Sequence, residues 1–327
     1  MEEENKGGTG LMLPRDLPSL VFLGTPDFAL PSLQKLAEAH ADIRLVVTQP
    51  DRPQGRGRKV NPPPMKVLAQ KLGFPFFQPQ RLRAAEAVER IAATSTECLV
   101  VVAYGQLLPQ ELLDCSPLGA VNVHASMLPQ YRGAAPIQRA LMAGEQATGI
   151  SIMLLDAGMD TGPILKQRQI VIQEGDTGGS VHDKLAILGA ELLVEALQGW
   201  KAGTIRARPQ DAALASYAPP IRKEEHRIIW TEEARHTVCQ IRALDPWPGA
   251  HCQYRGKRIK CFAAVLLPWK GDGRPGEILG LAEAGLVVLG GNQQAIGIGA
   301  LQIEGHRRLS ADAFVCGHEM PQGTVLE

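Results

Sequence analysis

The sequence lacks several features that would place it in a specialised class of proteins. Its six cysteines include no CxxC pair and show no ligand spacing with histidine, so the sequence predicts neither a disulfide framework nor a zinc site. Aromatic residues make up only 5% of the chain, and no apolar run approaches the length needed to span a membrane. The formal net charge is +0, so any polyanionic partner has to meet local basic clusters.

The remaining composition is typical of a soluble globular protein, with 45% hydrophobic and 21% charged residues. A chain of 327 residues is long for one compact domain, so two domains are predicted. The first residues, MEEENKGGTGLMLPRDLP, are acidic and then contain glycine and proline, unlike a secretory signal or an organellar presequence. We therefore expect a disordered tail over residues 1–18, a start of translation at Met1 or Met12, and a cytoplasmic protein.

The stretch from Leu118 to Pro136, LGAVNVHASMLPQYRGAAP, carries the first candidate site. It begins as a predicted strand, in which Asn122 and His124 are two residues apart and therefore leave the same face of the sheet. Polar side chains at the carboxyl end of a parallel strand face the crevice in which open α/β sheets bind ligands. An amide beside an imidazole is suited to stabilising an oxyanion and to moving a proton. The alternative is an edge pair that is bonded only to backbone or water.

Asp160 supports the catalytic interpretation of this pair. An apolar strand is predicted at residues 150–153, and the glycine-punctuated segment LLDAGMDTGP follows it, so Asp160 also lies just past the end of a strand. A carboxylate at this place can hold the imidazole of His124 and favour its protonated form. The sequence therefore predicts a polar group made of Asn122, His124 and Asp160.

A basic, proline-rich stretch follows the second predicted strand, which covers residues 43–48. Gln49–Pro64, QPDRPQGRGRKVNPPP, is predicted to be a loop that is neither helix nor strand. A flexible cationic loop suits contact with a phosphate backbone, and the alternative is a solvated surface loop. The candidate nucleic-acid contacts in this loop are Arg52, Arg56, Arg58 and Lys59.

The first two thirds of the chain alternate strands and helices, which predicts an α/β domain with a Rossmann-like parallel sheet. The apolar run ECLVVVA at residues 97–103 is typical of a central parallel strand that is buried on both faces. A strand, a turn and a helix are predicted over residues 19–39, but no GxGxxG or Walker lysine motif accompanies them. A dinucleotide site is therefore not predicted.

Beyond a predicted linker at residues 204–222, short strands broken by glycines replace this pattern, including residues 227–230, 285–289 and 295–303. Their number and length predict an OB-like β-barrel domain over residues 223–327. Such barrels often bind oligonucleotides, although the barrel could also merely pack. Trp247, which stands between two prolines, is predicted to be a packing anchor, and the alternative is a platform on which a base stacks. The candidate RNA contacts in this domain are Arg255, Lys257, Arg258 and Lys260.

Three motifs together resemble the folate-dependent formyltransferases, and within them the branch that formylates tRNA: NVHASMLPQYRGAAPIQ, LLDAGMDTGPI and QPDRPQGRG. The resemblance implies that Asn122, His124 and Asp160 carry the formyl transfer, and that Arg56 is the main contact of the basic loop with the tRNA acceptor arm. It also implies two groups of folate contacts, of which the second places the pterin. These are Ser126, Met127, Leu128 and Pro129, and the turn Ala103, Tyr104 and Gly105. Gln130 stands where many members carry a basic residue.

The function implied by this resemblance is transfer of the formyl group of 10-formyltetrahydrofolate, as a co-substrate, to the amine of initiator methionyl-tRNA. The catalytic domain would span residues 19–203, and the enzyme would be a monomer that needs no metal and no membrane. Three alternatives stay open from the residues themselves. They are a formyltransferase acting on a small amine, a hydrolase that releases formate, and an RNA-binding protein without activity.

Overall fold

The computed structural model describes residues 16–54 and 59–327. Residues 1–15 of the predicted tail lie outside the described residues, and so do Arg56 and Arg58 of the predicted RNA-binding loop. None of the helices in the described ranges combines the length and the apolarity that crossing a membrane requires.

The chain divides into two compact units. The first contains Met1–Val121 and Ala190–Ala207, and the second contains Asn122–Gly189 and Arg208–Glu327. The domain limits expected from the sequence fall at different positions and stay a prediction.

The first unit alternates short strands and helices, as its sequence predicts. Its elements in chain order are β1 (Leu20–Gly24), α1 (Leu30–Glu38), β2 (Ile43–Val47), β3 (Arg52–Gln54), β4 (Lys59–Asn61), α2 (Pro64–Leu72), β5 (Phe76–Phe77), α3 (Ala85–Ala92), β6 (Cys98–Val102), α4 (Gln110–Leu113) and β7 (Ala120–His124), whose last residues belong to the second unit. β1 lies between β2 and β6 and is parallel to both, and β5 extends the sheet beyond β2. All residues of β1 and β6 are buried, which fits central strands of a parallel sheet.

The ends of α2 follow from local sequence. Pro64 occupies the first turn, where its missing N–H leaves no helical bond unmade. Gly73 follows the last residue in a left-handed conformation with φ 77°, and its N–H bonds to carbonyls of the last turn. The basic stretch before α2 differs from the prediction, because β3 and β4 pair as an antiparallel ribbon with Arg52 opposite Asn61. Prolines lower the strand signal in the sequence, but a short ribbon tolerates them where no bond to the partner strand is needed.

The second unit contains the end of β7 and most of the remaining elements. These are α5 (Pro136–Met142), β8 (Ala147–Leu154), β9 (Ile164–Val171), α6 (Gly178–Lys201), whose second half belongs to the first unit, α7 (Ala234–Ala243), β10 (Ala250–Tyr254), β11 (Lys257–Leu267), β12 (Ile278–Ala282), β13 (Gly285–Leu289), β14 (Ala295–Ile303), β15 (Leu309–Ser310) and α8 (Ala311–Gly317). The sequence does not predict β9, which pairs antiparallel with β8 and carries polar residues at half of its positions.

The C-terminal strands form a separate antiparallel sheet in the order β10-β11-β14-β13-β12, with β15 paired to β14. β13 and β14 have the predicted limits. Residues 227–230 form no strand, since only Arg227 makes an isolated bridge to His251. No closed barrel forms among the described strands, so the structure supports the strand-rich antiparallel domain but not the OB-like barrel. The core of this domain contains Ile228, Trp230, Val288 and Ile296, each at most 5% exposed.

Candidate functional site

The second unit brings together two of the three predicted catalytic residues. His124 is the last residue of β7 and is 6% exposed, and Asn122 lies two residues earlier on the same strand and is half-buried. The Nδ1 atom of His124 lies 3.7 Å from Oδ2 of Asp160. This distance is longer than a hydrogen bond, so the contact between the two side chains is electrostatic.

The second ring nitrogen of His124 is fixed by the backbone of the following loop. Nε2 lies 3.0 Å from the carbonyl oxygen of Tyr131, and because a carbonyl only accepts, Nε2 carries the hydrogen. Tyr131 is itself held, since its N–H donates to Oγ of Ser216 over 2.9 Å and its hydroxyl donates to Glu145 over 2.6 Å. Burial, together with this contact to a carboxylate, raises the pKa of the Tyr131 hydroxyl. An acceptor thus faces each nitrogen of the imidazole.

Asp160 is held in an uncommon backbone conformation, with φ 53°. Its Oδ2 atom accepts a hydrogen bond of 2.8 Å from the backbone N–H of Gly133. Gly133 has φ 121°, and a Cβ atom there would lie 2.8 Å from the carbonyl oxygen of Ala218, so a side chain does not fit. The glycine of the YRGAAP motif therefore brings an N–H donor to the carboxylate that faces His124.

Gln210 connects the loop that carries Arg132 and Gly133 to the loop that carries Asp160. Its Nε2 donates to the carbonyl oxygens of Asp160 and Gly162 over 2.8 and 2.7 Å. Its Oε1 accepts from Nε and Nη2 of Arg132 over 3.1 and 2.7 Å. Arg132 is only 5% exposed, and Gln210 supplies the acceptor that its buried charge requires.

Sequence reasoning missed Tyr131, Gly133 and Gln210. Gln210 lies in the segment predicted to be a linker, and that segment makes backbone contacts with the site. The N–H of Arg132 donates to the carbonyl of Ser216 over 2.8 Å, and Arg208 bridges Ile164. A pattern without helical or strand periodicity gave no signal for these roles, because they depend on backbone groups and on single side chains.

The predicted folate-contact segment after β7 is tied down by serine hydroxyls. Oγ of Ser126 donates to the carbonyl of Gln130 over 2.6 Å, and Oγ of Ser151 accepts from the N–H of Leu128 over 3.0 Å. Ser126 and Leu128 are buried, whereas Met127 and Pro129 are half-buried. Contact of Ser126, Met127, Leu128 and Pro129 with folate stays a prediction.

The predicted pterin turn lies in the first unit. Ala103 and Gly105 have φ values of 47° and 84°, and the carbonyl of Tyr104 accepts from Oγ1 of Thr25 and Nε2 of Gln49. Tyr104 is 2% exposed, and its buried hydroxyl has no hydrogen-bond partner within the described residues. Burial raises the pKa of Tyr104 to about 12. Contact of Ala103, Tyr104 and Gly105 with the pterin stays a prediction.

The predicted RNA contacts that the structure describes are exposed or half-buried. Arg52 is exposed and donates to Gln49 over 3.1 Å. Arg255 is 61% exposed and lies near Glu319, and Lys257 and Arg258 are also exposed. Lys260 is half-buried and donates to the carbonyl of Pro248 over 2.6 Å. The side chain of Lys59 and the whole of Arg56 and Arg58 lie outside the described part of the chain.

Trp247 is not the packing anchor that the sequence predicts, since it is 80% exposed. Flanking prolines indicate a rigid turn, but they do not indicate on which side the turn carries its indole. Within residues 16–54 and 59–327, no cluster of three or more His, Cys, Asp or Glu side chains is arranged to hold a metal ion.

The chain that carries His124 and Asp160 matches one protein family over most of its length. The chain belongs to the formyl transferase family: the formyl transferase model matches residues 19–197, and the model of the formyl transferase C-terminal domain matches residues 220–319. The methionyl-tRNA formyltransferase of Pelotomaculum thermopropionicum is 45% identical over 94% of this chain and 98% of its own length. That of Pelobacter propionicus is also 45% identical, over 94% of this chain and 96% of its own length.

A solved structure shares the fold at low identity. HypX from Aquifex aeolicus in complex with tetrahydrofolic acid is 18% identical, with a TM-score of 0.62. The match covers 92% of this chain and 47% of HypX, so this chain spans about half the length of that protein.

Proposed function

We propose that this protein transfers the formyl group of 10-formyltetrahydrofolate to the amino group of initiator methionyl-tRNA, giving N-formylmethionyl-tRNA for translation initiation. The observation that carries the proposal is the 45% identity to a methionyl-tRNA formyltransferase over 94% of this chain, which includes both the catalytic region and the C-terminal sheet.

In the proposed reaction the methionyl amine attacks the formyl carbon, and the bond from this carbon to the folate nitrogen breaks. Negative charge grows on the formyl oxygen, where hydrogen bonds from the Asn122 amide and the His124 imidazole stabilise it. Asp160 holds His124 and takes part in removing the proton from the attacking amine. The folate nitrogen that loses the formyl group gains a proton.

The contacts of His124 support this assignment. Its Nε2 hydrogen is bonded to the Tyr131 carbonyl, and we expect the ring to exchange this bond for one to the formyl oxygen. The 3.7 Å between Nδ1 and Asp160 leaves the carboxylate close enough to stabilise positive charge on the ring. Because both reactants arrive bound and oriented, positioning supplies much of the rate.

The folate is proposed to lie against the turn Ala103, Tyr104 and Gly105 and against the segment Ser126, Met127, Leu128 and Pro129. Support comes from the ordered backbone of both segments: the carbonyl of Tyr104 accepts from Thr25 and Gln49, and the N–H of Leu128 donates to Ser151. No metal is assigned a role. Residues 19–203 form the proposed catalytic domain, 204–222 the linker, and 223–327 an OB-like tRNA-binding domain. The enzyme is proposed to act as a cytoplasmic monomer.

The proposed RNA contacts are Arg52, Arg56, Arg58 and Lys59 in the basic loop and Arg255, Lys257, Arg258 and Lys260 in the C-terminal domain. Four of them, Arg52, Arg255, Lys257 and Arg258, are exposed, which supports their contact with a phosphate backbone.

The test is incubation of the protein with 10-formyltetrahydrofolate that carries a labelled formyl group. Four acceptors are compared: methionyl-tRNA, uncharged tRNA, free methionine and an amino-sugar nucleotide. The proposal predicts label on methionyl-tRNA alone. Label on a small amine, or free labelled formate as the main product, contradicts it.

A further inference from the structure

The indole of Trp247 is the most exposed large hydrophobic side chain in the described part of the chain, at 80%. The same domain buries Trp230 to 5% exposure, so the fold does accommodate an indole in its core. An exposed indole leaves more than 100 Å² of apolar surface in water, on the order of the area that aromatic residues bury. This exposure is understandable where a partner covers the ring.

The turn that carries Trp247 is fixed on both sides. Before it, Asp245 is buried, and its carboxylate accepts from Arg308 over 2.8 and 3.1 Å. After it, the carbonyl of Pro248 accepts from Nζ of Lys260, and the N–H of Gly249 donates to Leu244 over 2.9 Å. The backbone on both sides of Trp247 is therefore held in place, so little backbone entropy is lost when a partner contacts the indole.

Two cations, Lys260 and Arg258, lie on the β-hairpin that follows this turn. His251 pairs with Lys260 and Gln253 with Arg258 in the register of β10 and β11. Because Cys252 and Ile259 point into the core, alternation places these four side chains on the opposite face of the sheet. The ammonium of Lys260 reaches the residue directly after Trp247.

Burial lowers the pKa of two histidines near these cations, and the positive charges add to this effect. The pKa of His251 is lowered by burial and then by the charges of Arg258, His226, Lys260 and Arg227. The pKa of His226 is lowered by burial and by Lys260, against the opposing effect of Glu225 and Glu224. Glu225 is itself held by Arg139.

We propose that Trp247 is a stacking platform for a nucleobase of the tRNA, with Lys260 and Arg258 contacting the phosphates next to that base. A fixed aromatic face beside cations is the arrangement that binds unpaired RNA bases. This proposal rests on the proposed function, because it takes tRNA as the partner. It adds base stacking to the electrostatic contacts with the phosphates.

The test is binding of uncharged initiator tRNA across a salt series, together with formylation of methionyl-tRNA. Trp247→Ala is expected to weaken tRNA binding about tenfold, and Trp247→Phe to restore most of the loss because it keeps an aromatic face. Trp269→Ala is the matched control, since Trp269 is a second exposed tryptophan, at 39%, in a loop of the same domain.

The salt dependence separates stacking from a structural role. Trp247→Ala removes no charge, so the log–log salt slope of binding is expected to equal that of the parent, whereas Arg258→Ala lowers it by about one unit. A lower slope in Trp247→Ala would mean that the turn and Lys260 have moved, and would overturn the platform.

Three further outcomes would also contradict the proposed role of Trp247. If Trp247→Ala binds tRNA as tightly as the parent and still formylates, base stacking on Trp247 is wrong while the proposed function stands. The exposed indole would then be available to a protein partner. Equal weakening by Trp269→Ala also overturns the platform. A parent protein that neither binds tRNA nor formylates methionyl-tRNA overturns the proposed function and the platform together.

Discussion

The polar groups around His124 and the side chains that are proposed to contact RNA are built in opposite ways. His124 and Arg132 are at most 6% exposed, and their ring or guanidinium nitrogens are bonded to a carbonyl or an amide oxygen. Arg255 is 61% exposed and Trp247 is 80% exposed. Transfer of a small group requires fixed donors in a dry site, whereas RNA requires reachable charge and aromatic surface.

This difference separates the expected consequences of substitution. Removing a partner from the buried group leaves charges or donors unpaired, which affects both turnover and stability. Removing an exposed cation leaves nothing buried without a partner, so its effect is limited to tRNA binding and to the salt dependence. The predictions below test this separation in order of expected size.

The largest effects are expected for His124→Ala and Asn122→Ala. Each removes a donor to the growing charge on the formyl oxygen, which corresponds to about 2 kcal/mol or more, a loss of thirtyfold or more in kcat/KM. Folate affinity falls much less, because neither side chain is assigned to the pterin. Single-turnover formylation and folate titration of the two variants measure both quantities. Near-normal turnover in either variant removes that residue from the catalytic group.

Asp160→Asn is expected to lower formylation about twentyfold through loss of charge alone. Asparagine tolerates the positive φ of this position, and its side-chain oxygen can still accept from the N–H of Gly133. The unfolding midpoint in urea should therefore stay close to that of the parent. If formylation survives while the midpoint falls, Asp160 supports the loop and not the reaction.

Arg56→Ala tests the group of side chains that are proposed to contact RNA. Arg56 stands between Gly55 and Gly57 in the basic stretch, and its role follows from the sequence because it lies outside the described residues. We expect kcat/KM for methionyl-tRNA to fall about tenfold, folate affinity to stay unchanged, and the salt slope of tRNA binding to fall by about one unit. If Arg56→Ala has the same salt slope and the same rate as the parent, this stretch does not contact tRNA. A formyltransferase that acts on a small amine would then again be a candidate function.

The sequence predicts the parallel sheet well because its strands are continuous apolar runs, such as Cys98–Val102, bounded by turn residues. It predicts the proximity of His124 and Asp160 because both follow strand ends in the chain. It misses β9, whose polar residues hide its alternation, and it favours a packing anchor at Trp247 although the residue is 80% exposed. A turn fixes the backbone, but only tertiary packing decides which side of the turn is covered.

Gln210 shows most clearly what the sequence leaves undetermined. It belongs to a segment without periodicity, and its role depends on three backbone or side-chain partners that are distant in the chain. We describe Gln210 as a positioning residue, since it acts on the Asp160 loop through that loop's carbonyls. Gln210→Ala is expected to lower kcat about threefold with KM nearly unchanged, and to lower the free energy of unfolding by about 1 to 2 kcal/mol.

Gln210→Glu separates the two roles of this side chain. A carboxylate keeps an acceptor for the buried Arg132, so stability should return toward that of the parent. It has no N–H for the carbonyls of Asp160 and Gly162, so the loss in kcat should persist. Steady-state kinetics and urea unfolding of both variants provide the measurement. If kcat recovers together with stability in Gln210→Glu, Gln210 supports only Arg132 and the fold. The bond from Gly133 would then be sufficient to position Asp160.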